Sequence, residues 1–350
     1  MKLLFDLVHP AHIHLFRNLI QRVQQEGGEV LAATREKDVT VNLCQSYRIP
    51  QVVLSQANTG QLLAGGWELL RRTIKLLRVA QGFKPDALLG TSMSIGIVGR
   101  LIGRPSFVFN EDDASAVPIF AKLAYPTCSY IVTPECLKHE NHGPKHLTYS
   151  GYHELAYLHP DHFTPDVMIP HSIGLSLDLP YFILRFVALK AHHDSEARGL
   201  SFGVARELVQ ILTNYGRILI TAEGELHPEF EAYQFPLPPD KLHDVLAFAS
   251  MYIGDSQTVT AEAAVLGVPG LRCSTFVGRT TCIDELERTY GLTKGFLPDD
   301  ADRLLTTVQE RLANLEDIKQ EMQRRRKKML EKCTNLADWQ WRMLCDKLHL

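Results

Sequence analysis

The stretch ASMYIGDSQTVTAEAAVLGVPGLRC, residues 249–273, decides how the chain is read. Met251-Tyr252-Ile253 is a short apolar run that suits a strand, and Gly254-Asp255-Ser256 breaks it. Residues 258–266 then favour a helix with Val259, Ala263 and Leu266 on one face, and Gly267-Val268-Pro269 stops it. A strand, a small polar turn beginning at Gly254 and a helix start gather unpaired backbone N–H groups and the positive end of a helix dipole at one point. Such a point suits a phosphate. Glu262 lies about one turn into the helix, too deep to cap it and placed to reach past a bound diphosphate toward sugar hydroxyls. The plainer alternative is an acid that complements the dipole.

The rest of the chain supplies a scaffold of the right size. Its 350 residues exceed one typical domain and divide naturally into two halves. With 45% hydrophobic and 22% charged residues the chain can bury a large core, and disorder is not indicated. A formal net charge of -3 gives no overall pull toward nucleic acid, so any anion site must be local. The 7 Cys are odd in number and form no CxxC pair, which argues against a disulfide framework and a zinc cluster. Reduced thiols and a cytoplasmic location are expected. MKLLFDLVHPAHIH is interrupted too early for a signal peptide or a spanning helix, and nothing downstream is long and apolar enough to span.

From the N-terminus, strands are predicted at residues 3–8, 29–33, 51–54, 86–90, 105–109, 129–133 and 147–150. Helices are predicted at 15–25, 38–46, 67–81 and 94–102, with HPAHIHL as a turn and a Gly-rich turn before residue 67. This alternation indicates a parallel sheet covered on both faces. The pattern dissolves over residues 151–171, read as the interdomain linker. It restarts with strands at 180–187 and 217–221 and helices near 203–215 and 240–249. The expected division is 1–155, a 156–175 linker, 176–335, and a last helix within 336–350 that packs back on the first domain. The basic segment 319–332 reads as a solvated helix face or, alternatively, as a contact with an anionic membrane surface.

GDSQTVTAEAAVLGVPGLRC resembles the donor-diphosphate segment of GT-B glycosyltransferases and of the non-hydrolysing nucleotide-sugar 2-epimerases. More closely, DLVHPAHIHLF, RFVALKAHHDSEARGLS and this segment with FVGR behind it resemble the DUF354 family, over most of the chain to about Pro298. The resemblance implies a GT-B fold, two Rossmann-like doubly wound domains facing a central cleft. It also implies that Ser256, Gln257 and Thr258 hold phosphate and Glu262 holds the ribose of a uridine nucleotide. Arg185, His193 and Asp194 stand on recurrent family positions, and basic residues there would neutralise a leaving diphosphate. An Arg185 paired with Asp194 is the structural alternative. Arg279, within FVGR, is a further phosphate candidate, and Glu223 follows a strand near the nucleotide side.

The first half offers proton chemistry. His9, His12 and His14 occupy the first strand-end turn, where a general base or a diphosphate ligand is useful. The family pattern there is commonly Asn-Pro-Pro-His-x-His, which singles out His12, while His9 replaces Asn. No carboxylate cluster completes a metal site at that spacing, so no metal is expected. Asn110-Glu111-Asp112-Asp113 follows a strand directly, making Glu111 and Asp113 candidate bases; the alternative is a helix N-cap cluster for a segment starting near Ala114. Thr91-Ser92-Met93-Ser94 occupies the corresponding turn after the 86–90 strand.

The reading that unites these features is a metal-independent glycosyltransferase using a nucleotide-sugar donor, a UDP-sugar, with no other cofactor. The acceptor is a glycan or a lipid-linked species. A UDP-sugar 2-epimerase competes, but the Gly-Thr-Arg-Pro-Glu turn of such epimerases is absent. A non-catalytic nucleotide-sugar-binding protein is the third reading. An NAD-dependent dehydrogenase is disfavoured because no GxGxxG follows the first strand.

Overall fold

Strands that are apolar on both faces alternate with helices along the whole chain, and this produces two parallel sheets, each covered by helices. The structure is a computed structural model that describes residues 1–36, 39–56, 62–186, 199–222, 226–234 and 237–349. The chain divides into two compact units, Met1–His162 with Cys333–Leu350, and Phe163–Lys332.

In the first unit the strands are β1 (Lys2–Leu7), β2 (Glu29–Glu36), β3 (Gln51–Gln56), β4 (Ala87–Gly90), β5 (Ser106–Phe109), β6 (Tyr130–Pro134) and β7 (His146–Tyr149). Among the described residues they form a seven-stranded parallel sheet in the order β3-β2-β1-β4-β5-β6-β7. The crossovers are α1 (Pro10–Gln25), α2 (Thr40–Ser46), α3 (Leu62–Phe83), α4 (Ser94–Ile102) and α5 (Pro118–Ala124). The chain leaves β1 toward one side and β4 toward the other, so the crevice at the carboxyl ends of these two neighbours is the topological switch point.

The second unit repeats the principle with β8 (Tyr181–Phe186), β9 (Arg217–Ala222), β10 (Met251–Gly254), β11 (Gly270–Cys273) and β12 (Thr293–Phe296). Its parallel order is β12-β11-β10-β8-β9, which puts the switch between β8 and β10. Its helices are α6 (Met168–Ser172), α7 (Phe202–Thr213), α8 (Leu242–Ala247), α9 (Gln257–Leu266), α10 (Thr281–Arg288), α11 (Ala301–Ala313) and α12 (Leu315–Leu330). The last helix, α13 (Leu336–Leu348), belongs to the first unit: Arg22 pairs with Asp338 at 2.8 Å, and Gln340 donates to the Leu15 carbonyl at 3.3 Å. Among the described residues no helix is long and apolar enough to cross a membrane.

Two boundaries differ from the sequence reading. α1 begins at Pro10, so HPAHIHL is helix rather than turn. The cause is local: Pro10 takes the first helical position and the His9 ring caps the helix, Nδ1 accepting from the Ala11 N–H at 3.2 Å. α3 begins at Leu62, so Gly65 and Gly66 lie inside a helix instead of a turn. Within residues 156–175 the first unit ends at His162, with Tyr157 and Leu158 buried in it, and α6 lies in the second.

The centre of the first sheet is polar. Asp6, fully buried at the end of β1, pairs with Arg72 of α3, which is itself buried. Arg72 also donates to Thr34 O and Ser55 Oγ, each at 3.1 Å, and to Ala33 O at 3.3 Å, while Ser92 Oγ donates to the second Asp6 oxygen. Removing one partner would strand a buried charge. Arg72→Met is therefore expected to destabilise the first unit by about 3–5 kcal/mol. Denaturant melts read through hydrogen exchange of the β1 amides measure this loss, and Asp6→Asn added to Arg72→Met should return part of it.

Candidate functional site

Each unit presents a cluster at the carboxyl ends of its central strands. In the first, His12 lies in the opening turn of α1, half-buried, with Nδ1 3.3 Å from the Val8 amide. Thr91 Oγ1, from the turn after β4, lies 2.5 Å from Nδ1 and 2.6 Å from Nε2, so the hydroxyl faces the edge of the ring between the two nitrogens. An Nδ1 that accepts from Val8 belongs to the tautomer protonated on Nε2. Gly90 permits this approach of the two turns: a Cβ there would fall 2.5 Å from Asp6 O.

The three histidines part ways. The His9 ring lies 5.8 Å from that of His12, so these two share the switch point. His14 turns into the unit, buried against Tyr157 at 5.2 Å and Tyr47 at 5.8 Å, with Arg17 Nη1 3.3 Å from its Nδ1. Packing accounts for His14.

The carboxylates after β5 are not a helix cap. α5 starts only at Pro118, its N-cap Val117 makes no side-chain bond, and the Ala114 N–H is taken by Glu140 Oε1 at 2.6 Å. Asn110 instead shapes the turn, its Nδ2 donating to Asp112 O at 2.5 Å and to Tyr125 Oη at 2.9 Å. Glu111 Oε2 lies 3.3 Å from Nδ1 of His153, a buried residue past the end of β7. Asp113 gathers with His139 and Glu140, their ligand atoms all within 4.8 Å of one another. Glu140 already serves Ala114 with one oxygen and His142 Nε2 with the other, at 2.9 Å.

Asp112, between the two expected bases, is the residue that sequence reasoning passed over. Burial pushes its carboxyl up to about 6, the adjacent Glu111 and Asp113 charges add to the rise, and His153 opposes it. Three consecutive acids at a strand end were visible in the sequence; their unequal burial was not.

In the second unit the turn after β10 is built as read. Gly254 is required by packing, since a Cβ would meet Tyr252 Oη at 2.5 Å and Arg185 O at 2.6 Å. Ser256 caps α9, its Oγ accepting from Val259 N at 3.4 Å. Gln257 and Thr258, half-buried, are the first residues of α9, whose backbone N–H groups the helix itself does not bond. Arg185, half-buried, sits on β8 in register with Gly254. His193, with Lys190, His192, Asp194 and Glu223, lies outside the described residues.

One expectation here needs correction. α9 has no single apolar face: every residue from Val259 to Leu266 is buried, because the helix packs among β10, β11, α8, α10 and α12. Glu262 Oε1 meets Nε2 of His243 on α8 at 2.9 Å, both side chains buried. His243 gave no sequence signal, because a whole strand separates it from Glu262. Arg279 is exposed, its guanidinium 5.6 Å above the Phe276 ring. Its neighbour Arg272 is fully buried, donates to Thr280 Oγ1 at 3.3 Å and anchors the start of α10; burial lowers its pKa.

The family described as "Protein of unknown function (DUF354)" matches residues 1–344. An uncharacterized protein of Methanocaldococcus jannaschii is 23% identical over 283 residues, 77% of this chain and 80% of that protein. A putative UDP-N-acetylglucosamine 2-epimerase from Listeria monocytogenes superimposes with a TM-score of 0.67 at 14% identity, covering 92% of this chain and 90% of that one. The UDP-GlcNAc 2-epimerase from Neisseria meningitidis bound to UDP-GlcNAc gives 0.64 at 13% identity, with 96% of each chain covered. A spinosyn rhamnosyltransferase complexed with thymidine diphosphate gives 0.65 at 15%, with 100% of each chain covered. The fold is of the GT-B type, with two parallel-sheet α/β units.

The raised Asp112 pKa has a consequence for stability. The folded state holds this proton more tightly than the unfolded chain, so the group's stabilising contribution is full below about 3.8 and is lost as pH rises through about 6. Asp112→Asn removes the penalty. It should raise the melting temperature at pH 8 and give no gain at pH 3.5; thermal melts at the two values decide, and an equal gain at both would contradict the assignment.

Proposed function

We propose, starting from the fact that this chain belongs to the DUF354 family, that it transfers a sugar from a nucleotide diphosphate donor to an acceptor hydroxyl. The observation that carries the reading is the start of α9: a Ser256-capped helix N-terminus at the switch point of the second sheet, with Glu262 deeper in the same helix. Exposed N–H groups and the dipole favour the diphosphate, the Arg185 side offers positive charge to the leaving group, and a carboxylate held by His243 suits the diol of a ribose. A UDP-sugar is the donor we favour. The Neisseria epimerase is a structure bound to UDP-GlcNAc, and its fold covers nearly this whole chain.

The base belongs to the first unit. His12 sits at a switch point with a hydroxyl beside its ring; a proton moved from the acceptor oxygen to Nδ1, displacing the Val8 hydrogen bond, would let that oxygen bond the sugar's anomeric carbon as the bond from that carbon to the diphosphate breaks and the nucleotide leaves. Glu111 and Asp113 stand at the neighbouring strand end, with Asp112 between them pushed up to about 6 by burial. That carboxylate group favours one second reading, a 2-epimerase, whose elimination and re-addition need acids beside the sugar. Epimerisation needs no acceptor, and transfer does. The acceptor as a lipid-linked or free glycan, a role in cell-surface polysaccharide synthesis, and work at the inner membrane face belong to the same proposal.

The test is a calorimetric titration with UDP, using ADP and NAD as controls. UDP-selective binding is expected. Glu262→Gln should weaken it about 10- to 100-fold, the loss of a charge-assisted hydrogen bond of roughly 1.5–3 kcal/mol. His12→Ala should leave UDP affinity nearly unchanged while lowering turnover of a responsive UDP-sugar by about 10²–10⁴. Binding of ADP or NAD in preference to UDP would overturn the donor assignment, and full turnover in His12→Ala would overturn the base.

A further inference from the structure

α3 has two apolar faces where the fold needs one. Its inward face carries Arg72, Thr73, Leu76 and Ala80, all buried, and these side chains account for its docking on the sheet. Its outward face carries Trp67 at 65% exposure, Leu70 at 50% and Ile74 at 42%. The spacings of three and four residues put these three on one stripe. Arg71 and Arg78 are exposed on that same stripe. Glu68 is the one acid in the helix sequence, and it is turned aside to Arg35 at 2.9 Å. Lys75 is engaged as well, donating to Leu54 O at 2.7 Å. The outward stripe therefore combines a large aromatic, two aliphatics and two guanidinium groups, and it carries no carboxylate.

We infer that this face of α3 docks on the surface of a bilayer containing anionic phospholipid, lying in the interface rather than crossing it. A single indole among aliphatics suits the boundary between headgroups and acyl chains. Guanidinium groups interleaved with the apolar side chains reach lipid phosphates while their stems stay with the chains. The basic segment 319–332 keeps Lys327 and Lys328 exposed, but part of it is engaged within the second unit. Its Arg324 and Arg325 bond Glu321, Arg326 bonds Val265 O, and Met322 and Met329 are buried. The inference rests on α3 alone and not on the sugar chemistry proposed above.

The experiment is flotation of the full chain with vesicles of phosphatidylglycerol and phosphatidylcholine, set against vesicles of phosphatidylcholine alone. Binding to the anionic vesicles is expected, falling as salt is raised. The variant combining Trp67→Ser, Leu70→Ser and Ile74→Ser should bind at least about tenfold less, and its melting temperature should hold because the replaced side chains face solvent. Arg71→Glu with Arg78→Glu should abolish the preference for anionic vesicles. Vesicles should also shift the protein's fluorescence to the blue, and the shift should vanish in Trp67→Phe although Trp339 and Trp341 remain. Absence of binding to either vesicle, or equal binding by the triple-serine variant, overturns the inference. Concentration-dependent self-association that the serine variant removes, without vesicle binding, would assign the face to a second copy of the chain instead.

Discussion

The buried Asp6 carboxylate is the constraint on which the first unit depends. Burying such a charge is costly, and the cost is offset only where partners saturate it. Arg72 and Ser92 do this, and in doing so they bind five pieces of chain: the ends of β1, β2 and β3, the turn after β4, and α3. A well-packed apolar pair would give as much stability but would not fix direction. The ion pair sets the rotation of α3 about its axis, because Arg72 must face inward. With Arg72 inside, Trp67, Leu70 and Ile74 have no choice but the outer side. Ser92, which meets the same carboxylate, neighbours Thr91, so the Asp6 cluster also holds the turn that His12 meets.

The second unit is ordered around its central helix. α9 is enclosed on all sides, and its carbonyl end is clamped by α12: Gln323 Nε2 donates to Leu266 O and Gly267 O at 3.1 Å, and Arg326 Nε donates to Val265 O at 2.8 Å. These carbonyls have no partner within α9 and carry the negative end of its dipole, so amide and guanidinium donors belong there. Arg325 does the same for Gly291 O at 2.7 Å. Two charges of the segment 319–332, Arg325 and Arg326, are thus turned onto helix-end carbonyls, and pinning one end of α9 fixes the other, where Ser256 sits.

The strand alternation was legible because strands of a parallel sheet are buried on both faces and read as short apolar runs. The turn 254–256 was legible for the same reason that it works: Gly254 is excluded from bearing a side chain and Ser256 is a preferred cap. Legibility failed where a residue's role is set by something distant in sequence. His243 and Glu262 lie 19 positions apart, Glu111 and His153 farther, and Asp6 and Arg72 are separated by 66 positions. Each pair is assembled by the sheet order, which no local pattern encodes. The early start of α1 is a different failure. Histidine is an uncommon cap, and its three-residue cluster invited a chemical reading that misses the capping role of His9 and the packing role of His14.

The two clusters differ in the kind of charge they can manage, and the difference follows from how each strand end is closed. After β5 the chain places three acids in succession, and burial of Asp112, with repulsion from Glu111 and Asp113, pushes its carboxyl up to about 6. After β10 the chain goes directly into a helix, whose N–H groups and dipole do not titrate and which favours negative charge at every pH. A site of the first kind exchanges protons; a site of the second kind holds an anion that carries its charge permanently. With a net charge of only -3 on the whole chain, neither property comes from the overall field. It must come from these strand ends, and a reaction that separates a proton from a nucleophile and a diphosphate from a sugar requires both.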